Sequence, residues 1–340
     1  MDITNLKRDP HFINQYVELI EVSFKYEENF SFAQDFSRLL SHDNQSNCWF
    51  IVDRTNQLVL ATLATKAINL STSQNILPIC LVGGIATRSN NRNQGLFTAL
   101  LNHIIELNKK NFAFFALWSD QQVLYEKFQF YLSGSIATTI QKAPKKYSPL
   151  NFFIRTSLNQ LTKSEQADLI KLYNQDRSLK VARSEQDWNE IFNMSSPHLY
   201  IYKNENTIEE YYIRGKGFDL QNIVYEYHLR PENILKIAAT SVVWPKKCDL
   251  VLFNETHEIQ LQYLAMFKIS NLELIENFIA KEENVCVKLT KTRNFFIQVR
   301  LGNHLSEMNP KEFIDLFFGL SCLDNLNTNY PFFISGIDSI

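Results

Sequence analysis

The chain has 340 residues, 45% of them hydrophobic and 21% charged, with 34 Lys and Arg against 36 Asp and Glu. This length and apolar content are enough for two domains with cores of their own, and the near balance of charge excludes the broad basic surface that draws nucleic acid. No apolar run approaches the roughly 20 residues that span a bilayer, and Met1-Asp2-Ile3-Thr4-Asn5 lacks the pattern of a secretory leader, so a cytoplasmic protein without a membrane partner is expected.

Cys48, Cys80, Cys248, Cys286 and Cys322 are odd in number and scattered. None form the close pairs of a zinc site, so no metal is expected and the thiols point to a reducing compartment. The histidines are dispersed too, and His103 falls inside a helical stretch, where it reads as structural.

Asp9-Pro10 is a helix start, and the spacing of Phe12, Tyr16, Leu19, Ile20 and Phe24 predicts a helix over 11–25. A second helix is expected over 31–40. Cys48 to Val52 reads as a strand, Asp53-Arg54-Thr55-Asn56-Gln57 as a polar turn, and Leu58 to Ile68 as the returning strand. Residues 77–87, rich in β-branched and small side chains, predict the next strand. Leu96, Phe97, Leu100, Leu101, Ile104 and Ile105 repeat at helical spacing over 94–109. Then follow a buried strand at 112–117, a short helix at 121–127 and a strand at 129–140.

The segment 141–150, with two prolines and three lysines, is the best linker. Beyond it the order of elements repeats. Thr162-x-x-Glu165 is a capping box, Ser184 begins a helix carrying Trp188, Ile191 and Phe192, and a hairpin spans 198–213 around the turn Lys203-Asn204-Glu205-Asn206. A strand at 223–227, a helix at 231–239 and a strand at 249–253 complete the repeat. The domains expected are therefore 1–143 and 150–340.

The most informative stretch is Gly83-Gly84-Ile85-Ala86-Thr87-Arg88-Ser89-Asn90-Asn91-Arg92-Asn93-Gln94-Gly95-Leu96-Phe97. It joins a strand to an amphipathic helix by a polar loop. Unpaired N–H groups and the positive end of the dipole make such a helix start a place for pyrophosphate, provided no side chain covers the backbone. Gly95 leaves the backbone bare, and Arg92 adds a charged donor. An ordinary strand-to-helix turn is the plain alternative.

Arg92-Asn93-Gln94-Gly95-Leu96-Phe97 resembles the Arg/Gln-x-x-Gly-x-Gly/Ala loop that holds the pyrophosphate of acetyl-coenzyme A in the GNAT superfamily of N-acetyltransferases, with Phe97 in place of a small residue. Leu124-Tyr125-Glu126-Lys127-Phe128-Gln129-Phe130 is similar to the Tyr-x-Lys-Phe-Gly-Phe stretch of the same enzymes, with Gln129 in place of glycine. The resemblance covers roughly residues 1 to 140. It implies an α/β (α+β) fold, the GNAT acyl-CoA N-acyltransferase fold, with a mixed central sheet flanked by helices. The second half reads as a duplicate without a phosphate loop: His228-Leu229-Arg230-Pro231-Glu232-Asn233 has no glycine, Pro231 lacks a donor and Glu232 brings negative charge.

By that resemblance Ile85, Ala86 and Thr87 would contact the pantetheine arm, Arg92, Asn93, Gln94, Gly95, Leu96 and Phe97 would wrap the pyrophosphate, and Ser119 would lie near the pantetheine end. Tyr125 matches the general acid of the superfamily; as a plain packing residue it would be half-buried with its hydroxyl satisfied. No Asp, Glu or His falls between 77 and 87 to serve as base. Asp120 is the nearest acid. The apolar end, Pro331 to Ile340, suggests a docked tail, and duplicated enzymes of the enhanced-intracellular-survival type and N-myristoyltransferases use a terminal carboxylate, which here would be that of Ile340. A tail packed only for stability is the alternative. The activity implied is acetyl transfer from acetyl-CoA to a primary amine of an acceptor the sequence does not name; a non-catalytic acyl-CoA sensor or interaction protein is the rival.

Overall fold

A computed structural model of the chain describes residues 1–72, 74–141, 152–176, 179–218, 220–253, 257–292, 296–301, 303–319, 330 and 332–340. The expected linker, after Gln141, lies outside the described residues, as do Cys322 and Pro331.

The first half runs β1 (Asp2–Asn5), α1 (Ile13–Phe24), α2 (Phe32–Asp35), β2 (Cys48–Asp53), β3 (Leu58–Ser71), β4 (Ile76–Thr87), α3 (Leu96–Asn108), β5 (Phe114–Leu117), α4 (Gln122–Glu126), β6 (Tyr131–Ser133) and β7 (Ile136–Gln141). Strands β1 to β4 form an antiparallel meander, and β5 joins parallel to β4 after the α3 crossover. The apolar residues of α1 and α2 cover one face of this sheet and those of α3 cover the other, as the helical spacing requires. The turn between β2 and β3 is fixed by the Asp53 carboxylate, which accepts from the amides of Thr55 and Asn56 at 2.9 and 3.3 Å.

Three elements differ from expectation. The helix expected at 31–40 is one turn, ended by Phe36 at φ −118°, ψ 38°. The expected strand at 129–140 breaks at Gly134, whose φ of +70° no strand accommodates, into β6 and β7. Gln129 also stands at φ +64°, which explains why glycine suits that position and marks this chain's residue as strained there.

The second half contains β8 (Ile154–Ser157), α5 (Lys163–Gln175), β9 (Lys180–Ala182), α6 (Glu185–Phe192), β10 (His198–Asn204), β11 (Thr207–Arg214), β12 (Ile223–His228), α7 (Pro231–Ala238), β13 (Val242–Val243) and β14 (His257–Gln262). Capping boxes at Thr162–Glu165 and Ser184–Asp187 start α5 and α6. The sheet order is β13-β12-β11-β10-β8, with β12 and β13 parallel, repeating the relation of β4 to β5. The third difference lies here. The partner of β12 is Val242–Val243, whereas Lys247–Phe253 forms a 3₁₀ helix. Trp244 still donates to Val224 O at 2.9 Å, but Pro245 has no N–H to continue the ladder, and of the following apolar run only Phe253 is fully buried.

A last group is β15 (Ala265–Ile269), α8 (Leu272–Glu282), β16 (Val287–Lys291), β17 (Ile297–Leu301), β18 (His304–Met308) and α9 (Pro310–Phe318). Strand β15 enters the first sheet between β5 and β6, while β7 leaves it to pair with β14. The halves thus exchange strands, and α8, α9 and the meander β16-β17-β18 build one core with β4, β5 and β15.

Residues 332–340 dock at the junction. Phe332, Ile334 and Ile337 are each at most 2% exposed. Asp338, 1% exposed, accepts from Arg38 Nη1 of the first half at 2.9 Å and from Arg183 Nη2 of the second at 2.8 Å. Arg183 also holds Glu226, and Arg38 reaches Asp187 at 2.8 Å. Lys216 donates to Gly336 O at 2.9 Å and Ser339 O at 2.6 Å. Burial alone would raise the Asp338 carboxyl, but the charges of Arg183 and Arg38 outweigh it and hold its pKa below the usual carboxylate range. The folded pKa is depressed, so this contribution to stability is complete above the unfolded Asp value near 3.9 and is lost as pH falls through the lower folded value. We expect Asp338→Ala to cost about 3–5 kcal/mol in urea titrations at pH 7, because two buried guanidinium groups lose their partner. The gap between parent and variant should narrow below about pH 3; a gap unchanged in acid would mean that shape and not charge secures the tail.

Candidate active site

The site is built where β4 meets α3. The register of β3 against β4 passes from Thr62↔Ala86 to Ala64↔Gly83, so two residues of β4, Gly84 and Ile85, oppose one of β3. This is a β-bulge, with Gly84 at φ +56° and its carbonyl accepting from Thr62 Oγ1 at 2.9 Å. The parallel pairing of β4 with β5 ends at Leu81↔Ala116. Beyond that rung the strands part, and the polar edge of β4 at 85–87 faces a cleft.

The loop after β4 sets up the helix start. Arg88 is used structurally, its Nε donating to Val59 O at 3.0 Å, while Arg92 is exposed at the cleft. Asn93 and Gly95 both take left-handed backbone, at φ +63° and +77°. The first helical bond of α3 runs from Ala99 N to Gly95 O at 2.9 Å, so the N–H groups of Leu96, Phe97 and Thr98 have no acceptor within the helix. A Cβ placed on Gly95 would meet no atom within 4 Å. The space in front of these donors is therefore open, and the bare backbone at 95 faces it.

That space is a cavity of about 680 Å³. Of the residues singled out in the sequence, Ile85, Ala86, Thr87, Arg92, Asn93, Gly95, Leu96, Phe97, Asp120 and Tyr125 all line it. Gln94 stands outside, its amide on Asn90 O at 3.4 Å. Ser119 is not in the lining; its hydroxyl accepts from the amide of Gln121 at 3.0 Å. Ile340 is not in the lining; it rests against β4 beside the bulge, where a Cβ on Gly83 would come within 2.9 Å of its carbonyl oxygen. Ser23 and Phe24 at the end of α1 form a lip that the sequence pattern did not reveal, since Phe24 counts as core by spacing yet is 51% exposed.

Tyr125 is 7% exposed, and burial pushes its hydroxyl up to about 12, the bond from Ser119 opposing this and the nearby Asp120 adding to it. The phenol is therefore protonated throughout the neutral range. Phe97, the departure from a small residue, packs edge-on against Tyr125 and Phe128, with ring centroids at 5.7 and 5.4 Å. It braces the tyrosine and leaves the helix start clear.

In the second half the corresponding place is filled. Glu210, 3% exposed, accepts from the amide of Arg230 at 2.9 Å, from Arg230 Nε and from Asn233 Nδ2 at the start of α7. A buried carboxylate thus stands beside this helix start, bonded to the N-cap residue Arg230 and to the Asn233 side chain, and its charge disfavours a phosphate there. Among the described residues, no cluster of His, Cys, Asp or Glu could hold a metal ion, and no helix is long and apolar enough to cross a membrane.

Comparison with known proteins agrees with this geometry. The family described as acetyltransferase (GNAT) domain matches residues 7–132. The first half of this chain is a GNAT domain. The whole structure is similar to a GCN5-related N-acetyltransferase from Anabaena variabilis (TM-score 0.62, 14% identity, 94% of this chain and 91% of that one). It is also similar to Eis1 from Mycobacterium abscessus (0.60, 12%, 94% and 90%) and to a GCN5-related N-acetyltransferase from Kribbella flavida (0.60, 11%, 94% and 90%). At such identities the likeness is one of fold, and it extends beyond the GNAT domain to the second half. A comparison with curated proteins gives no match.

The contact between Gly83 in the GNAT domain and Ile340 is testable on its own. Gly83→Ala would place a methyl group 2.9 Å from Ile340 O, so the tail must shift. We expect a loss of about 1–3 kcal/mol in stability and faster hydrogen exchange at residues 335–340. Exchange unchanged from the parent would show that the tail does not bear on β4.

Proposed function

We propose that this chain transfers an acetyl group from acetyl-coenzyme A to a primary amine. The observation that carries the reading is the bare, open helix start at Gly95 facing a cavity large enough for an extended ligand. Residues Ile85 to Thr87 would offer the pantetheine arm a strand edge that β5 does not pair, and the N–H groups of Leu96, Phe97 and Thr98, with Arg92, would hold the pyrophosphate. Asn93 and Gln94 complete the loop, Asn93 by its left-handed turn and Gln94 by bracing Asn90. The bound donor would supply a thioester whose carbon accepts the amine.

The chain's own residues would then manage two protons. Tyr125, protonated at neutral pH, gives a proton to the departing sulfur as the C–S bond breaks and the N–C bond forms; Ser119 orients its hydroxyl. The base takes the proton the amine gives up. In a chain that ends at Ile340, its carboxylate stands against the β4 bulge and is our first candidate; Asp120, exposed on the cavity wall, is the second. Amidating the Ile340 carboxyl by semisynthesis keeps the packing and removes the charge. Loss of kcat at unchanged Tm supports the first candidate, and full activity moves the role to Asp120.

Two substitutions test the site. Gly95→Glu puts bulk and negative charge into the open space and should abolish acetyl-CoA binding in calorimetry, where the parent binds one molecule per chain. Two sites per chain would mean that Glu210 does not close the second half. Tyr125→Phe should lower kcat by about 10²-fold or less with the donor affinity unchanged; equal rates at every pH would leave Tyr125 a packing residue. Binding of acetyl-CoA without thiol release across a panel of amines would favour the non-catalytic sensor.

A further inference from the structure

Packed side chains bound the inner end of the cleft between β4 and β5. The last paired rung is Leu81↔Ala116, so the split begins at Val82 and Leu117, each 1% exposed and packed into the α3-side core. On the α1 side of the bulge, a Cβ on Gly84 would meet Ile20 Cδ1 at 3.3 Å, Phe32 Cζ at 3.7 Å and Ala64 Cβ at 3.8 Å. Ile20 is 0% and Phe32 4% exposed. Phe32 is held in place: its amide donates to Glu21 Oε1 at 2.8 Å, and its ring lies against Phe36 with centroids 4.9 Å apart. Ahead of the bulge stands Ile340, whose carbonyl oxygen and Cγ1 would lie 2.9 and 3.0 Å from a Cβ on Gly83. The void beyond, between Asp35, Lys66, Lys216 and Ile340, measures about 10 Å³, room for about one water.

We infer that the acyl end of this site admits a two-carbon group and no longer chain, and that Ile20 and Phe32 set the limit. This rests on the acyl-CoA reading above. An acyl group carried along Thr87, Ala86 and Ile85 reaches the bulge at Gly84, where all three directions are filled by well-packed side chains or by Ile340. Packed interiors do not yield a tunnel without displacing their neighbours. A longer chain therefore remains in water and contributes nothing to binding. A preformed apolar tunnel would instead strengthen binding by about fourfold for each methylene.

The test is calorimetry on the full chain with coenzyme A, acetyl-CoA and octanoyl-CoA, which needs no knowledge of the acceptor. In the parent, octanoyl-CoA is expected to bind no more tightly than acetyl-CoA. In Phe32→Ala and Ile20→Ala, octanoyl-CoA should gain about tenfold or more over acetyl-CoA, as the opened space buries the chain. Unchanged affinity for coenzyme A itself certifies that a variant is folded, and the parent ratio decides if either variant fails that check. Octanoyl-CoA binding more than about tenfold tighter than acetyl-CoA in the parent overturns the inference while leaving the acyl-CoA reading intact. So does a folded variant that gains nothing. If coenzyme A and both thioesters fail to bind the parent, the acyl-CoA reading falls and this inference falls with it.

Discussion

The arrangement depends on one buried carboxylate. Asp338 of the tail is shared by an arginine from each half, Arg38 and Arg183. A charged group this deep is costly unless its partners are fixed, so the clamp forms only when the halves have their native separation. Arg183 is itself fixed from several sides. Tyr173 lies under its guanidinium at 3.9 Å, Trp188 at 4.8 Å, and Glu226 accepts its other nitrogens. Glu226 in turn accepts from Tyr211 and from Ser335 of the tail. The apolar tail residues contribute about 1.5–3 kcal/mol each through burial, but apolar burial has no preferred register. The clamp supplies the register, and two residues later Ile340 arrives against Gly83.

The halves show how one framework is opened or closed to an anion. Both run an antiparallel meander into a helix and a parallel strand, β4-α3-β5 in the first and β12-α7-β13 in the second. In both, the helix start presents unpaired donors. In the first, Gly95 at φ +77° leaves them facing open space. In the second, Pro231 removes one donor and the buried Glu210 holds the N-cap residue Arg230. The difference is what stands before the helix start, open space on one side and a carboxylate of the chain on the other. The buried charges of the second half serve the tail instead.

Local pattern made much of this legible. The amphipathic spacing of α3, the capping boxes of α5 and α6 and the loop from Arg92 to Gly95 were readable because each rests on residues within a turn or two of one another. The cavity gathered nearly every residue that the loop motif and the Tyr125 segment had pointed to. What was not legible depended on distant partners. The strand expected at 249–253 looked apolar enough, but Pro245 had already ended the pairing with β12, and the parallel rung went to Val242–Val243. The exchange of β7 and β15 leaves no local trace, since a strand's sequence does not say which sheet will take it. The clamp was hidden for a similar reason. A single aspartate in an apolar tail was its one signal, and neither arginine lies within 150 residues of it along the chain.

The bulge is where these levels meet. Gly84 supplies the left-handed backbone that turns the polar edge of β4 into the cleft, and Gly83 beside it leaves room for the tail. Neither glycine is explained by the strand alone, which both weaken. Each is explained by what approaches it: Ile20, Phe32 and Ala64 at Gly84, and Ile340 at Gly83. The same approach that finishes the core also closes the end of the cleft. On the acyl-CoA reading, stability and substrate size would be coupled in this chain, because enlarging the acyl end would mean removing core atoms from Ile20 or Phe32, and loosening the tail would mean giving up the Asp338 clamp. A broader acyl specificity, on that reading, would require an unfilled core beside the bulge, which the apolar residues of α1 and α2 fill.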